Sequence, residues 1–163
     1  MENKQQTRLT AEVDKQELFI ERIFDAPREL VFEAFSNPAW IAQWLVPAKD
    51  HMRIDYANYL TGGAYRYIMP DLQGKEVGLF GIFHEVQAPE RIIRTFEWGG
   101  LPEKGHAALE KTIFEALGSD QTKVRIQFIC ESVGFRDGLV QSGMEPRYNE
   151  CHKNLDTLLE KAK

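Results

Sequence analysis

Cysteine is scarce in this chain, and long apolar runs are missing. Only two cysteines, Cys130 and Cys151, occur among 163 residues, and their spacing fits no metal-binding motif. No stretch approaches the ~18 apolar residues of a membrane-spanning helix, and the polar first 17 residues lack the apolar segment of a secretory signal. A reduced, cytoplasmic protein without a membrane span is therefore expected.

An excess of basic charge and the familiar catalytic motifs are also missing. The chain has 20 Lys and Arg against 25 Asp and Glu, a formal net charge of −5, so nucleic acid is not an expected partner. It has no nucleophile elbow, phosphate loop or dinucleotide-binding turn, and its four histidines show no metal-ligand spacing. No catalytic residue, metal ligand or cofactor is predicted, and whether the protein is an enzyme stays open.

The composition that remains is that of one globular domain. Hydrophobic residues make up 43% of the chain and charged residues 28%, and 163 residues can bury a core without disulfides or metal. We expect an N-terminal extension over residues 1–16 and a single domain over residues 17–163.

Local patterns predict a strand, two short helices and then a run of strands. Residues 17–24 are apolar and β-prone, Asp25 and Pro27 favour a helix start, and Asn37 with Pro38 favours a second helix. The further predicted strands, separated by turn signals, are residues 52–59, 64–69, 77–86, 91–98, 109–117 and 122–132. Connections this short favour antiparallel neighbours.

The last part of the chain predicts one long amphipathic helix. Residues 133–146 contain glycine and are expected to be a connection, with the helix beginning near Pro146. Tyr148, Cys151 and Leu155 recur at helical spacing, so this helix needs an apolar surface to lie on. The sheet is the surface large enough, which predicts an α+β fold with the helix gripped by a curved antiparallel sheet.

Four segments give the chain a family resemblance. They are residues 22–35 (RIFDAPRELVFEAF), 62–69 (GGAYRYIM), 81–92 (GIFHEVQAPERI) and 136–145 (RDGLVQSGME). In this order they resemble the START-like (SRPBCC) superfamily. Within it, they resemble the branch named after the C-terminal domain of the activator of heat-shock-protein-90 ATPase. The resemblance implies the helix-grip, Bet v I-type fold over nearly the whole chain.

The resemblance leaves three functions open. Relatives in the superfamily bind lipids, hormones or polyketides between helix and sheet, which implies a small hydrophobic ligand for this chain. The branch name implies a co-chaperone that binds a heat-shock-protein-90 homologue and stimulates its ATPase. Other relatives are cyclases or hydrolases acting on hydrophobic substrates. Monomer and homodimer are both compatible with the sequence.

Aromatic side chains mark the predicted ligand site. Rings supply apolar area and tyrosines add a polar tip, so we expect a ligand to be bordered by such residues under the final helix. The candidate set is Trp44, Tyr65, Tyr67, Phe83, Arg94, Phe96, Trp98, Phe128, Tyr148 and His152. The alternative is that these rings fill the core and leave no cavity.

Arg94, Glu97 and His152 are the three polar residues that an enzymatic alternative would require. Strand alternation puts Arg94 on the face of Phe96 and Trp98, and Glu97 on the opposite face. If the Arg94 face is the inner one, a buried Arg needs an anion from the protein or from a ligand. The alternative is an Arg stem that passes apolar neighbours on its way to water.

Overall fold

A computed structural model describes residues 6–47, 50–71 and 73–163. These residues form eight strands and four helices. The strands are β1 (Arg8–Thr10), β2 (Glu17–Phe24), β3 (Arg53–Ala57), β4 (Ala64–Pro70), β5 (Glu76–Gln87), β6 (Arg91–Trp98), β7 (Ala107–Leu117) and β8 (Gln121–Ile129). The helices are α1 (Arg28–Ser36), α2 (Pro38–Trp44), α3 (Val133–Gln141) and α4 (Met144–Ala162).

All eight strands join one antiparallel sheet in the order β1-β2-β8-β7-β6-β5-β4-β3. Helix α4 lies against the concave face together with α1 and α2, which the chain forms directly after β2. The α+β helix-grip fold expected from the sequence is thereby confirmed. The sheet and α4 enclose the core, and β6 and β7 lie at its centre.

The two short helices follow the predicted signals. The Asn37 side chain accepts a hydrogen bond from the Ala39 amide at 3.0 Å, with Pro38 at the first helical position of α2. Trp44 ends α2 and donates its indole N–H to the Ala34 carbonyl at 2.9 Å, which ties α2 to α1. The two helices therefore form one continuous wall over the sheet.

Residues 133–141 form helix α3, so the prediction of an irregular connection over 133–146 is wrong there. The Ser132 hydroxyl caps α3 by accepting from the Phe135 amide at 3.0 Å. The buried Arg136 guanidinium donates to the Glu12 and Glu17 carbonyls at 2.5 and 3.2 Å. These contacts outweigh the poor helix propensity of the two glycines in α3.

Helix α4 begins at Met144, two residues before the expected start near Pro146. Gly143 makes the turn from α3 with a φ of 87°, a conformation that glycine adopts without steric cost. Pro146 lies in the first turn of α4, where its missing N–H leaves no helical hydrogen bond unmade.

Part of the N-terminal segment is ordered against the domain. Within the expected extension, β1 pairs with β2 through Arg8–Glu21, Leu9–Ile20 and Thr10–Phe19. Thr7 is buried, and the Leu9 amide donates to the Glu145 carboxylate on α4 at 2.9 Å. The first five residues lie outside those described.

Candidate functional site

A small cavity lies between the centre of the sheet and the three helices α1, α2 and α4. Its free volume is about 30 Å³, which is room for one or two water molecules. It is lined by Phe35, Ile41, Trp44, Leu45, Tyr59, Tyr67, Ile92, Arg94, Glu110, Thr112, Ile126 and Tyr148. The lining is mainly apolar and aromatic, with a few polar residues among it.

The Arg94–Glu110 ion pair is the dominant polar feature of this cavity. The two residues face each other across β6 and β7, and their side chains are only 12% and 7% exposed. Arg94 Nε and one Nη donate to the two carboxylate oxygens, each at 3.2 Å, in a bidentate arrangement. A charged pair therefore lies where the rest of the wall would favour apolar side chains.

Tyrosines of β4 support the guanidinium from one side. The Tyr65 ring lies under the Arg94 guanidinium carbon at 4.5 Å from its centroid, and the Tyr67 ring lies at 6.0 Å. The Tyr65 hydroxyl donates to the Thr95 carbonyl at 2.6 Å, which fixes the ring. The Tyr67 hydroxyl contacts that of Tyr59, from the loop between β3 and β4. Arg94 is thus held by packing as well as by Glu110.

The tyrosine hydroxyls in and behind the cavity wall stay protonated at neutral pH. Burial raises the pKa of Tyr59, Tyr65, Tyr67 and Tyr148 above the usual phenol value, and the Arg94 charge only partly opposes this. Each hydroxyl can then either donate or accept a hydrogen bond. Tyr148 reaches the cavity from α4, with its ring edge-on to Phe128 at 6.3 Å.

His152 is fully buried one helical turn beyond Tyr148 and is neutral. Its Nδ1 hydrogen-bonds the Thr7 hydroxyl at 2.8 Å, while its Nε2 has no partner within the described ranges. Burial, with a smaller effect of the Arg22 charge, lowers the pKa of His152 to about 3. Its ring contacts Phe24 and Trp44, so it supports the cavity wall from behind.

The structure brings most of the ten predicted site residues to one region, in two layers. Four of them line the cavity, namely Trp44, Tyr67, Arg94 and Tyr148. Four pack against cavity-lining tyrosines, namely Tyr65, Phe83, Phe128 and His152, and Phe96 packs behind them on Phe128. Trp98 lies at the end of β6, paired with Leu79 and beside Gly100.

Glu110, Thr112 and Tyr59 line the cavity but were not singled out from the sequence. On β7 the buried residues alternate as Ala108, Glu110, Thr112 and Phe114. Glu110 interrupts this row of otherwise uncharged residues on β7, the strand next to the one that contains Arg94. That pattern is the sequence signal from which the pair could have been predicted. Strand β3 ends at Ala57, so Tyr59 lies in the following loop and not in a strand over residues 52–59 as predicted, and strand alternation does not tell which way a loop residue faces.

Arg94, Glu97 and His152 do not converge on one point. Arg94 lines the cavity, while Glu97, three residues along the same strand, belongs to the opposite face of the sheet. His152 uses its Nδ1 for Thr7 behind the wall. Among the described residues, no group of three or more His, Cys, Asp or Glu side chains could hold a metal ion. In the same ranges, no helix has the length and apolar character needed to cross a bilayer.

Comparison with known proteins gives one family and one fold. The family model described as "Activator of Hsp90 ATPase homolog 1-like protein" matches residues 25–160. Among curated proteins, no significant match is found.

Solved structures with this fold come from several bacteria. A protein from Rhodobacter sphaeroides is 20% identical, with a TM-score of 0.82 over 96% of this chain and 100% of its own. One from Mycobacterium smegmatis is 15% identical, with a TM-score of 0.84 over 94% and 96%. One from Arthrobacter aurescens is 19% identical, with a TM-score of 0.82 over 94% and 91%. At these identities the likeness concerns the fold alone.

Proposed function

Because the chain belongs to the family of activator of Hsp90 ATPase homolog 1-like proteins, and because of the site just described, we propose that it binds a small, mainly apolar molecule between the sheet and α4. The observation that carries the proposal is the Arg94–Glu110 pair, largely buried in the wall of an otherwise mainly apolar and aromatic cavity. Ligand sites are typically apolar hollows with a few well-placed polar groups.

Binding requires the cavity to enlarge, since about 30 Å³ admits only water. Most of its walls are strand and helix residues held by regular hydrogen bonding. Tyr59 and Leu45 lie outside these elements, in the β3–β4 loop and at the end of α2. Displacement of the Tyr59 ring, which packs on Phe83 at 4.3 Å, would enlarge the cavity without disturbing the sheet.

Native mass spectrometry of the protein purified gently from its own host tests the proposal. We expect a stoichiometric extra mass that is released on activation in the instrument. A protein that carries no extra mass, and that binds no compound in a subsequent screen of apolar molecules, would contradict the proposal.

A pair of variants on β7 makes the test specific to the cavity. Thr112→Leu places a larger side chain in the void and should abolish retention of the extra mass. Ile113→Leu changes the next residue, which is 47% exposed, and should leave retention unchanged. Equal retention by both variants would place the ligand elsewhere on the protein.

A co-chaperone activity is the second candidate, favoured by the family description that matches residues 25–160. It predicts that the protein binds a heat-shock-protein-90 homologue and raises its ATPase rate. An ATPase assay with saturating protein tests this activity, and an unchanged rate would rule it out. Thr112→Leu should not alter such an activity, because Thr112 is buried and a docking partner would contact the outer surface.

A further inference from the structure

The Arg94–Glu110 pair retains hydrogen-bonding capacity that the protein does not use. Glu110 takes two N–H groups of Arg94, one on each carboxylate oxygen, and the Tyr67 hydroxyl takes another, so part of the five-donor guanidinium fork remains. Within the described ranges, no other group hydrogen-bonds the Glu110 carboxylate, and a second lone pair remains on each oxygen. Both residues line the cavity and pair directly across β6 and β7, which places a donor and an acceptor side by side in its wall.

Charged ligands do not suit this pair. Arg94 and Glu110 neutralise each other, and both are fixed on central strands directly opposite each other. A carboxylate ligand would have to share Arg94 with Glu110, which would place two negative charges together in a site shielded from bulk water. An ammonium ligand would have to share Glu110 with Arg94, which would place two positive charges together. Either ligand would lose its hydration without a free counter-charge, which is costly.

A neutral head group with an adjacent donor and acceptor fits both partners at once. A carboxamide or lactam can accept from Arg94 through its carbonyl and donate its N–H to Glu110. Both bonds are charge-assisted, and they offset the desolvation of the amide. Once displacement of the Tyr59 ring has enlarged the cavity, the wall formed by Trp44, Tyr67 and Tyr148 can accommodate an apolar or ring-containing body.

We propose that the ligand of this cavity is an uncharged molecule with an amide-type head, carbonyl beside N–H, bound by Arg94 and Glu110, and with an apolar body. This inference rests on the proposed function, because it names the ligand class of the same site. Under this proposal, Arg94 and Glu110 select the head group. The surrounding aromatic rings contact the apolar body of the ligand.

Four compounds of nearly one shape test the inference by NMR titration of the ¹⁵N-labelled protein. Benzamide offers carbonyl and N–H, acetophenone the carbonyl alone, isopropylbenzene neither, and benzoate a negative charge. We expect benzamide to bind tighter than acetophenone and benzoate to bind most weakly, with shifts concentrated at cavity residues. This ranking uses the unaltered protein and does not depend on any variant folding.

The variant Arg94→Met/Glu110→Met removes both polar partners together and leaves no charge unpaired. It should weaken benzamide by about tenfold to a hundredfold, the effect of losing hydrogen bonds to charged groups. Isopropylbenzene should bind it at least as tightly as it binds the unaltered protein. A benzamide affinity that does not change would overturn the inference.

The outcomes separate this inference from the function on which it rests. If the compounds bind at the cavity but benzoate is tightest, or acetophenone equals benzamide, the amide class is wrong and the binding function stands. If none of the four shifts cavity resonances up to its solubility limit, the proposed function fails and the inference fails with it.

Discussion

Replacing Arg94 with methionine should lower the free energy of unfolding by about 3–5 kcal/mol, the usual cost of breaking a buried ion pair from one side. The magnitude follows from burial, because the Glu110 side chain left behind is only 7% exposed and loses both of its charge-assisted hydrogen bonds. With a urea dependence of about 2 kcal/mol per molar, the unfolding midpoint should fall by about 2 M.

The double variant Arg94→Met/Glu110→Met should recover most of that loss. No charge is then left unpaired, and methionines pack in the aromatic surroundings, so we expect a stability within about 1 kcal/mol of the unaltered protein or above it. Urea unfolding followed by tryptophan fluorescence measures all the forms. With Glu110→Met measured as well, the stability loss of the double variant minus the sum of the two single losses gives the coupling energy of the pair.

Arg91→Met is the matched control on the same strand. Arg91 pairs with Glu85 at 2.8 Å, but both side chains are substantially exposed, at 43% and 31%. Water screens such a pair, so the midpoint should barely move. If Arg94→Met moved the midpoint no more than Arg91→Met, the cavity would be open to bulk water, and the argument for a shielded binding site would fail.

Two other perturbations probe the walls of the cavity. His152 has its pKa lowered to about 3 from 6.5, so the unfolded state binds more protons between these pH values and stability falls as pH falls through this window. Between pH 7 and pH 5 the free energy of unfolding should fall by about 2 kcal/mol because of His152. In urea titrations at the two pH values, His152→Leu should lack this loss. An identical pH dependence in both proteins would contradict the buried neutral ring. Tyr59→Ala should enlarge the cavity and raise the fluorescence of a bound apolar dye, whereas Tyr56→Ala, at a 51% exposed site, should not. Equal dye binding by the two variants would mean that Tyr59 does not close the cavity.

The architecture could be predicted because its elements carry local signals. The Asn37–Pro38 cap, the alternation along β8 and the helical spacing of apolar residues in α4 each act within a few residues of sequence. These signals fix which faces are apolar, and one gripping arrangement of sheet and helix buries them all.

Elements that depend on distant contacts were not predictable in this way. Helix α3 contains two glycines, and its Arg136 anchors onto carbonyls more than a hundred residues earlier. Strand β1 has three residues, too few for a periodic pattern, and is held by pairing with β2. Local propensity disfavours helix α3 and gives no prediction for strand β1. Tertiary contacts therefore determine both elements.

The candidate site could be predicted from the sequence only in part. Alternation along β6 places Arg94 on the same face of the strand as Phe96 and Trp98. Whether the Arg94 guanidinium reaches water or a protein partner depends on the residue opposite it on the neighbouring strand. Glu110 supplies that partner through the register between β6 and β7, a relation across strands that no single segment encodes. The void of about 30 Å³ depends in turn on how all the rings pack together.

The position of the Arg94–Glu110 pair raises the question of whether these charges stabilise the fold or recognise a ligand. A pair of well-packed apolar residues is generally at least as stabilising as a buried ion pair, so the fold alone does not call for charges at the centre of β6 and β7. If Arg94→Met/Glu110→Met is as stable as the unaltered protein and no longer distinguishes benzamide from isopropylbenzene, the charges serve recognition. If the double variant is instead strongly destabilised, the pair serves to hold the sheet, and the case for a ligand has to rest on the co-purified mass alone.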